Sequence, residues 1–297
     1  MRMAGISVLI PTFNQPCQEL VRQLHVQLER ASVDYEIIVA DDGSTDQQTV
    51  EQNLQIACMP RCQYIVREKN SGRAAIRNFL AQTARYDDLL FIDSDMTVVS
   101  DCYIERYLKN NGDAVIDGGV AIVGDACALR GNLRYLYEMA EEPHHTAPER
   151  QRSPYQHLHT ANLMIRRELM LAYPFDERFR HYGYEDVLLG KTLRQHHVAI
   201  RHIDNPMGFC TFEANETFVL KTEEGLRTLY EFRDDLRGYS RLLTFVAGIH
   251  IPLVKTMIRF VFRLTGQAVR RNLCSARPNL SLFKFYKIGY YLCQASR

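Results

Sequence analysis

The 297-residue chain has no run of roughly 18 consecutive apolar residues, the length a membrane-crossing helix needs. The nearest approach, Leu242 to Leu264, is interrupted by His250, Pro252, Lys255, Arg259 and Arg263. No CxxC pair occurs among the eight cysteines, and Cys58-Met-Pro-Arg-Cys62 has no second pair. That excludes a zinc-ribbon arrangement, and in a chain of this length it favours reduced thiols over a disulfide framework. No charged-then-apolar leader precedes the first apolar run, so a secretory signal is not expected and the expected location is cytoplasmic. Internal repeats and low-complexity segments are absent. Acidic residues are scarce towards the end: from Leu226 onward thirteen Lys or Arg face three Asp or Glu, although the net charge of the whole chain is only +1. Such asymmetry points to an anionic contact for that region, either membrane or nucleic acid. No nucleic-acid-binding module is visible, so nucleic acid is not an expected partner.

What is present is an alternation of strand and helix. Ile6 to Ile10 and Tyr35 to Ala40 read as buried strands, with Leu20, Val21, Leu24 and Leu28 at helical spacing between them. Strand, helix and strand within so short a span make a βαβ unit, which predicts an α/β fold with a mostly parallel, Rossmann-like sheet. A helix follows over about 45–57, then a strand near 64–67, a helix opened by Asn70-Ser71-Gly72-Arg73, and a strand Leu89 to Ile92. Residues 114–123 read as a strand interrupted by Gly118-Gly119, where another group should approach the backbone closely. A helix over 125–140, a polar surface loop over 141–157, a strand over 159–165, a helix from Glu185 to about Gln195 and a short strand from Val198 to His202 complete the first part. The division expected is 1–205 for this part and 206–297 for a helical, basic, amphipathic extension.

Leu89 to Ile92 stops abruptly at Asp93-Ser94-Asp95. Paired carboxylates at the C-terminal end of a buried strand stand where α/β sheets bind ligands, and at this spacing they can hold a hard divalent cation and, through it, a diphosphate. The same residues would also serve as an Asp-rich turn before a helix near Ser100. Asp41-Asp42-Gly43-Ser44 and Asn70-Ser71-Gly72 are likewise turn and cap sequences, and a helix N-terminus is itself an anion site. Glu185 and Asp186 are adjacent acids at a helix start, placed either for the helix dipole or for proton transfer.

Taken in order, Pro11-Thr12-Phe13-Asn14, Asp41-Asp42-Gly43-Ser44, Asn70-Ser71-Gly72-Arg73 with Arg77, Asp93-Ser94-Asp95 and Glu185-Asp186 resemble the inverting nucleotide-sugar glycosyltransferases of family 2, which have the GT-A fold. The segment from Phe175 to Phe179, followed by Gly183-Tyr184-Glu185-Asp186, is similar to the catalytic domains of galactosyltransferases and chondroitin polymerases. The resemblance covers about Ile6 to Asp204. It implies transfer of a hexosyl group from a UDP-sugar to a hydroxyl of a glycan or lipid-linked acceptor, in the building of polysaccharide or cell-surface glycan. By the same resemblance Asp95 and His202 bind Mn²⁺ or Mg²⁺, with His202 tilting the choice towards Mn²⁺. Asp42 reads uracil. Pro11, Thr12, Asn14, Asp41, Asn70, Gly72, Arg73, Arg77, Asp93 and Ser94 line the nucleotide sugar. Asp186 is the general base with Glu185 beside it, and Asn162 and Tyr184 lie on the acceptor side. A non-catalytic nucleotide-sugar-binding protein of the same fold is the alternative. A nucleotidyltransferase would be expected to carry a Gly-rich phosphate loop after the first strand, and Pro11-Thr12-Phe13-Asn14 offers none.

Beyond Asn205 the pattern changes. Leu229, Phe232, Leu236, Tyr239, Leu243 and Val246 suggest an amphipathic helix. Basic residues and aromatic anchors up to Tyr291, without a spanning segment, describe an element lying on anionic lipid at the inner face of a membrane. A helical cap on the catalytic part, or a homodimer surface, is the competing reading.

Overall fold

A computed structural model describes residues 5–110 and 112–294 of the chain. The elements in order are β1 (Ile6–Thr12), α1 (Gln18–Arg30), β2 (Tyr35–Asp41), α2 (Gln47–Leu54), β3 (Cys62–Val66), α3 (Arg73–Thr83), β4 (Asp88–Ile92), β5 (Met96–Val98) and α4 (Tyr103–Lys109). Next come β6 (Val115–Asp117), β7 (Val120–Ile122), α5 (Leu133–Glu141), α6 (Ala147–Arg152), β8 (Asn162–Arg166), α7 (Arg167–Ala172) and α8 (Glu185–Gln195). The remainder is β9 (Arg201–His202), β10 (Met207–Phe209), α9 (Asn215–Glu231), α10 (Arg241–Gly248), α11 (Pro252–Leu273) and α12 (Leu280–Gln294).

One sheet runs β3-β2-β1-β4-β8-β6-β9. β1 pairs in parallel with β2 on one side and β4 on the other, whereas β8 is antiparallel to both β4 and β6. Strands β1 and β2 are almost wholly buried, which is why they read as continuous apolar runs and not as alternating ones. The sheet is therefore mostly parallel, as expected. A second, small sheet, β5-β10-β7, has strands of three residues each; β7 is the second half of the strand read over 114–123, whereas the sequence pattern did not announce β5 and β10.

The chain divides into two units. The first comprises Met1–Val123, His144–Arg180 and Leu189–Thr211; the second comprises Gly124–Pro143, His181–Leu188 and Phe212–Arg297. A single cut after residue 205 is thus not the division found. Two inner segments belong with the C-terminal helices: a cluster around Leu133, Phe218, Leu273, Phe283 and Tyr286 holds α5, α9, α11 and α12 together, and His181–Leu188 is tied to α9 where Glu224 accepts Tyr182 N–H. The first unit has its own core, built on Leu9, Ile38, Leu80, Phe91, Leu163 and Leu193.

Three local expectations are revised. The helix expected over 125–140 is confined to α5, because Asp125 first closes a turn on the Cys127 amide and Asn132 then caps the helix on Tyr135 N–H. The polar loop over 141–157 contains α6, whose Arg150 is buried. The apolar series from Leu229 to Val246 is not one helix: α9 ends at Glu231, Gly238 turns with φ +79°, and Ser240 caps α10.

Candidate functional site

Because β1, β2 and β4 are parallel neighbours, their C-terminal ends bring Thr12, Asp41-Asp42 and Asp93-Ser94-Asp95 to one edge of the sheet. Pro11 and Thr12 end β1, and the Thr12 hydroxyl donates to Gln15 O at 2.8 Å. Asn14 takes up a left-handed backbone (φ +50°), and its side-chain oxygen accepts the Thr45 and Asp46 amides at 2.8 and 3.0 Å. It ties the first loop to the second. Asp41 accepts Ser44 N–H at 2.7 Å and the Tyr64 hydroxyl at 2.5 Å.

Asp42 is buried and accepts from Ser71 N–H and O–H and from Gly72 N–H, at 2.7 to 3.0 Å. Asn70 accepts the Gly72 amide as well. The Asp41-Asp42 edge thereby fixes the Asn70–Arg73 turn that opens α3. Gly43 is required between them: at φ +76° a Cβ there would come within 2.7 Å of the Lys69 backbone.

From the first turns of α3, Arg73 and Arg77 both reach Asp93, at 3.0 and 2.5 Å. Arg77 is buried while Arg73 remains 42% exposed. Burial pushes the Asp93 carboxyl up, but the charges of Arg77 and Arg73 outweigh it and hold the group below its ordinary value. Asp93 is therefore a fixed anion that orients two guanidinium groups. Ser94 and Asp95, by contrast, line a cleft of about 370 Å³ together with Gln15, Cys210 and Thr211. Cys210 and Thr211 carried no signal in the sequence; they follow β10, whose Phe209 pairs with Met96 just after Asp95.

His202 is not placed as a metal ligand. Its ring is buried, Nδ1 lies 2.9 Å from Arg150 Nη1, and Nε2 lies 3.0 Å from Pro154 O. An imidazole that accepts at one nitrogen and donates at the other has no lone pair left for a cation. Its neighbours form a buried hub. Arg150 donates to Asp117 at 2.5 Å and to Ile203 O at 2.8 Å, while Asp117 also accepts Gly119 N–H and His159 N–H at 2.8 Å. What approaches the backbone is this Arg150 guanidinium at Gly119, and the Asn162 amide, Asn205 O and the Tyr107 hydroxyl at Gly118. Burial raises the Asp117 carboxyl, and the nearby His202 with the charges of His159 and Arg150 leaves it lowered on balance.

Asn162 is not on an acceptor surface either. It is fully buried, accepts the Tyr103 and Tyr107 hydroxyls at 2.6 and 2.7 Å, and donates to Gly119 O and Asn205 O at 2.7 and 2.9 Å. All its hydrogen-bonding capacity is spent inside the fold.

In the second unit, Gly183 and Tyr184 both have positive φ (+91° and +73°) immediately before α8. A bulky residue in that region is strained, and such strain collects at functional positions. Glu185 is buried at the start of α8, and Asp186 beside it accepts the Val187 amide at 2.7 Å. Burial first, then the nearby Tyr137 and Asp186, push the Tyr184 hydroxyl above its ordinary range.

Among the described residues no group of three or more His, Cys, Asp or Glu could hold a metal ion. Asp95 alone suits a cation whose remaining ligands are phosphate oxygens and water, the usual manner for Mg²⁺ on a nucleotide, not a dedicated protein cage.

The family described as glycosyl transferase family 2 matches residues 7–172. A chondroitin synthase of Pasteurella multocida is 27% identical over 251 residues, covering 69% of this chain but only 24% of that protein. The putative colanic acid biosynthesis glycosyl transferase WcaA of Escherichia coli is 32% identical over 90 residues, 30% of this chain and 32% of that one. Among solved structures, Staphylococcus aureus TarS 1-349 in complex with UDP has a TM-score of 0.50 at 18% identity, covering 99% of this chain and 92% of that one. Glucosyl-3-phosphoglycerate synthase from Mycobacterium tuberculosis, crystallised with Mn²⁺, UDP and glucosyl-3-phosphoglycerate, also has a TM-score of 0.50 at 17% identity, covering 76% and 79%.

Proposed function

Because this chain belongs to glycosyl transferase family 2 and has the GT-A fold, we propose that it transfers a hexosyl group from a UDP-sugar to a hydroxyl of a glycan or lipid-linked acceptor, with inversion. The observation that carries this reading is the shared edge of β1, β2 and β4. There a turn fixed by Asp42, two guanidinium groups oriented by Asp93, and the cleft-lining Asp95 stand at the ends of adjacent parallel strands.

A leaving nucleoside diphosphate develops negative charge, and pre-oriented cationic groups stabilise it without reorganising. In this reading Arg73 supplies that charge, Asp42 stands at the uracil end, and Pro11, Thr12, Asn70 and Gly72 shape the nucleotide pocket. Asp95 would hold Mn²⁺ or Mg²⁺, which neutralises phosphate charge when bound. With His202 withdrawn as a ligand, no imidazole favours Mn²⁺ over Mg²⁺. Asp186 accepts the proton of the attacking hydroxyl, and Glu185, buried beside it, contacts acceptor or donor hydroxyls. The strained Gly183-Tyr184 step sets the direction in which α8 presents both acids, with Tyr184 on the acceptor side. The C-terminal region, residues 206–297, brings the protein to the inner face of an anionic membrane.

Release of UDP from a panel of UDP-sugars, with Mn²⁺, with Mg²⁺ and with chelator, tests the donor class and the metal. Asp186→Asn should lower turnover by roughly 10²–10⁴-fold while UDP binding is retained. Near-normal turnover in that variant would remove Asp186 as the base.

A further inference from the structure

Seven large hydrophobic side chains between residues 245 and 264 are exposed, in a chain whose other exposed ones are scattered. α10 buries none of its residues, and α11 buries only Gly266, Val269 and Leu273, all in its second half. Up to Leu264, α11 presents Leu253, Met257, Phe260 and Leu264, each between 58% and 74% exposed. Their spacing of four, three and four residues makes one apolar stripe. Phe245 and Ile251, 55% and 61% exposed, extend it across the break into α10. Lys255, Arg259 and Arg263 form a second stripe on α11, roughly 130° round the helix from the first.

We infer that this α10–α11 elbow is the surface that docks on an anionic lipid bilayer, with the apolar stripe in the acyl boundary and the basic stripe at the phosphates. The inference rests on the membrane attachment proposed above and narrows it to one element. Charge identifies the partner: residues 236–297 hold eleven Lys or Arg and no Asp or Glu. A lipid surface offers apolar depth and negative charge in the same layered order as the elbow. A symmetric contact with a second copy would set the same patch against itself, basic stripe near basic stripe, with no acid on it to compensate. Leu, Met and Phe at the crest give nothing that recognises nucleic acid. The elbow is placed on the membrane surface: no single described helix is long and apolar enough to span, and α10 and α11, which are so only as a pair, are bent by 119° at the break between them.

The test uses the full-length protein and sedimentation with vesicles of phosphatidylcholine alone or mixed equally with phosphatidylglycerol. The protein should pellet with the mixed vesicles, lose binding as salt rises, and bind the neutral vesicles weakly. The combined variant Leu253→Gln, Phe260→Gln, Leu264→Gln should lower partition at least about tenfold, since each substitution removes a whole buried apolar side chain. Lys255→Gln, Arg259→Gln, Arg263→Gln together should lower it by about 10²-fold on anionic vesicles only. None of these positions is buried (Lys255 and Arg259 are half-buried and the other four exposed), so both variants should keep the wild-type thermal transition and UDP binding. If the full-length protein ignores the mixed vesicles, both the membrane attachment and the elbow are wrong. Binding by wild type with undiminished binding by the Gln variants keeps the attachment and refutes the elbow. A dimer in solution that the apolar variant dissociates, without vesicle binding, assigns the patch to a second copy and overturns the proposal.

Discussion

The first unit holds two Asp–Arg clusters with opposite character. Asp117 and Arg150 are both almost fully buried and, with His202, Gly119 and His159, form a closed hub between β6, α6 and β9. Asp93 receives two guanidinium groups where Asp117 receives one, but it lies at the open end of β4 and one of them, Arg73, stays 42% exposed. In the hub the side chains of Asp117, Arg150 and His202 spend their polar atoms on the fold, and the gain is a fixed arrangement of α6 and the strand ends. At the edge, the charge is held in place with part of it still facing solvent. An Asp–Arg pair is therefore structural or functional according to where the topology leaves its outer side, not according to residue type.

The contrast can be broken, and the largest effect is expected in the hub. Arg150→Met leaves Asp117 as an uncompensated buried charge and should cost about 3–5 kcal/mol of folding stability. Denaturant unfolding would measure it; a loss under about 1 kcal/mol would mean that water or another cation reaches Asp117. Asp95→Ala, at the cleft, should abolish metal-enhanced UDP binding in calorimetry. Retained metal enhancement would refute its ligand role. His202→Gln sharpens the comparison, because the hub reading predicts about 1–3 kcal/mol of lost stability with metal-enhanced UDP binding intact. Weakened metal affinity in a stably folded His202→Gln protein would restore the histidine as a ligand.

The smallest expected effect is on pH. Both Asp117 and Asp93 have carboxyls lowered from an ordinary value near 3.8, so each adds stability that is present above that value and lost as pH falls through the lower folded one. Acid titration of stability below about pH 4 should be less steep in Asp93→Asn than in wild type. Parallel curves would mean that Asp93 does not carry the lowered group.

Much of the fold was legible because it is local. β1, β2, β4, α1 and α3 each carry an apolar period within a dozen residues, and the Asp42, Asn70–Arg73 and Asp93–Asp95 motifs are contiguous with strand or helix ends. A strand end is a place, so a motif at a strand end could be assigned a place. The same reasoning gave Asp186 its position at the start of α8.

His202 and Asn162 were misjudged for one reason: their partners are remote in the chain. Arg150 is 52 residues from His202, Tyr103 is 59 from Asn162, and β5 exists only because Met207–Phe209 returns beside it. The chain could also announce a basic, acid-free end, but not which half of α11 would be buried, since that depends on how α9 and α12 cover it. The sequence by itself determined the parallel α/β scaffold and the edge where the donor-side motifs gather, because period and adjacency are written along the chain. Only the tertiary structure decided which polar side chains are spent inside the fold and which remain at a surface, because that depends on contacts between residues the chain keeps far apart.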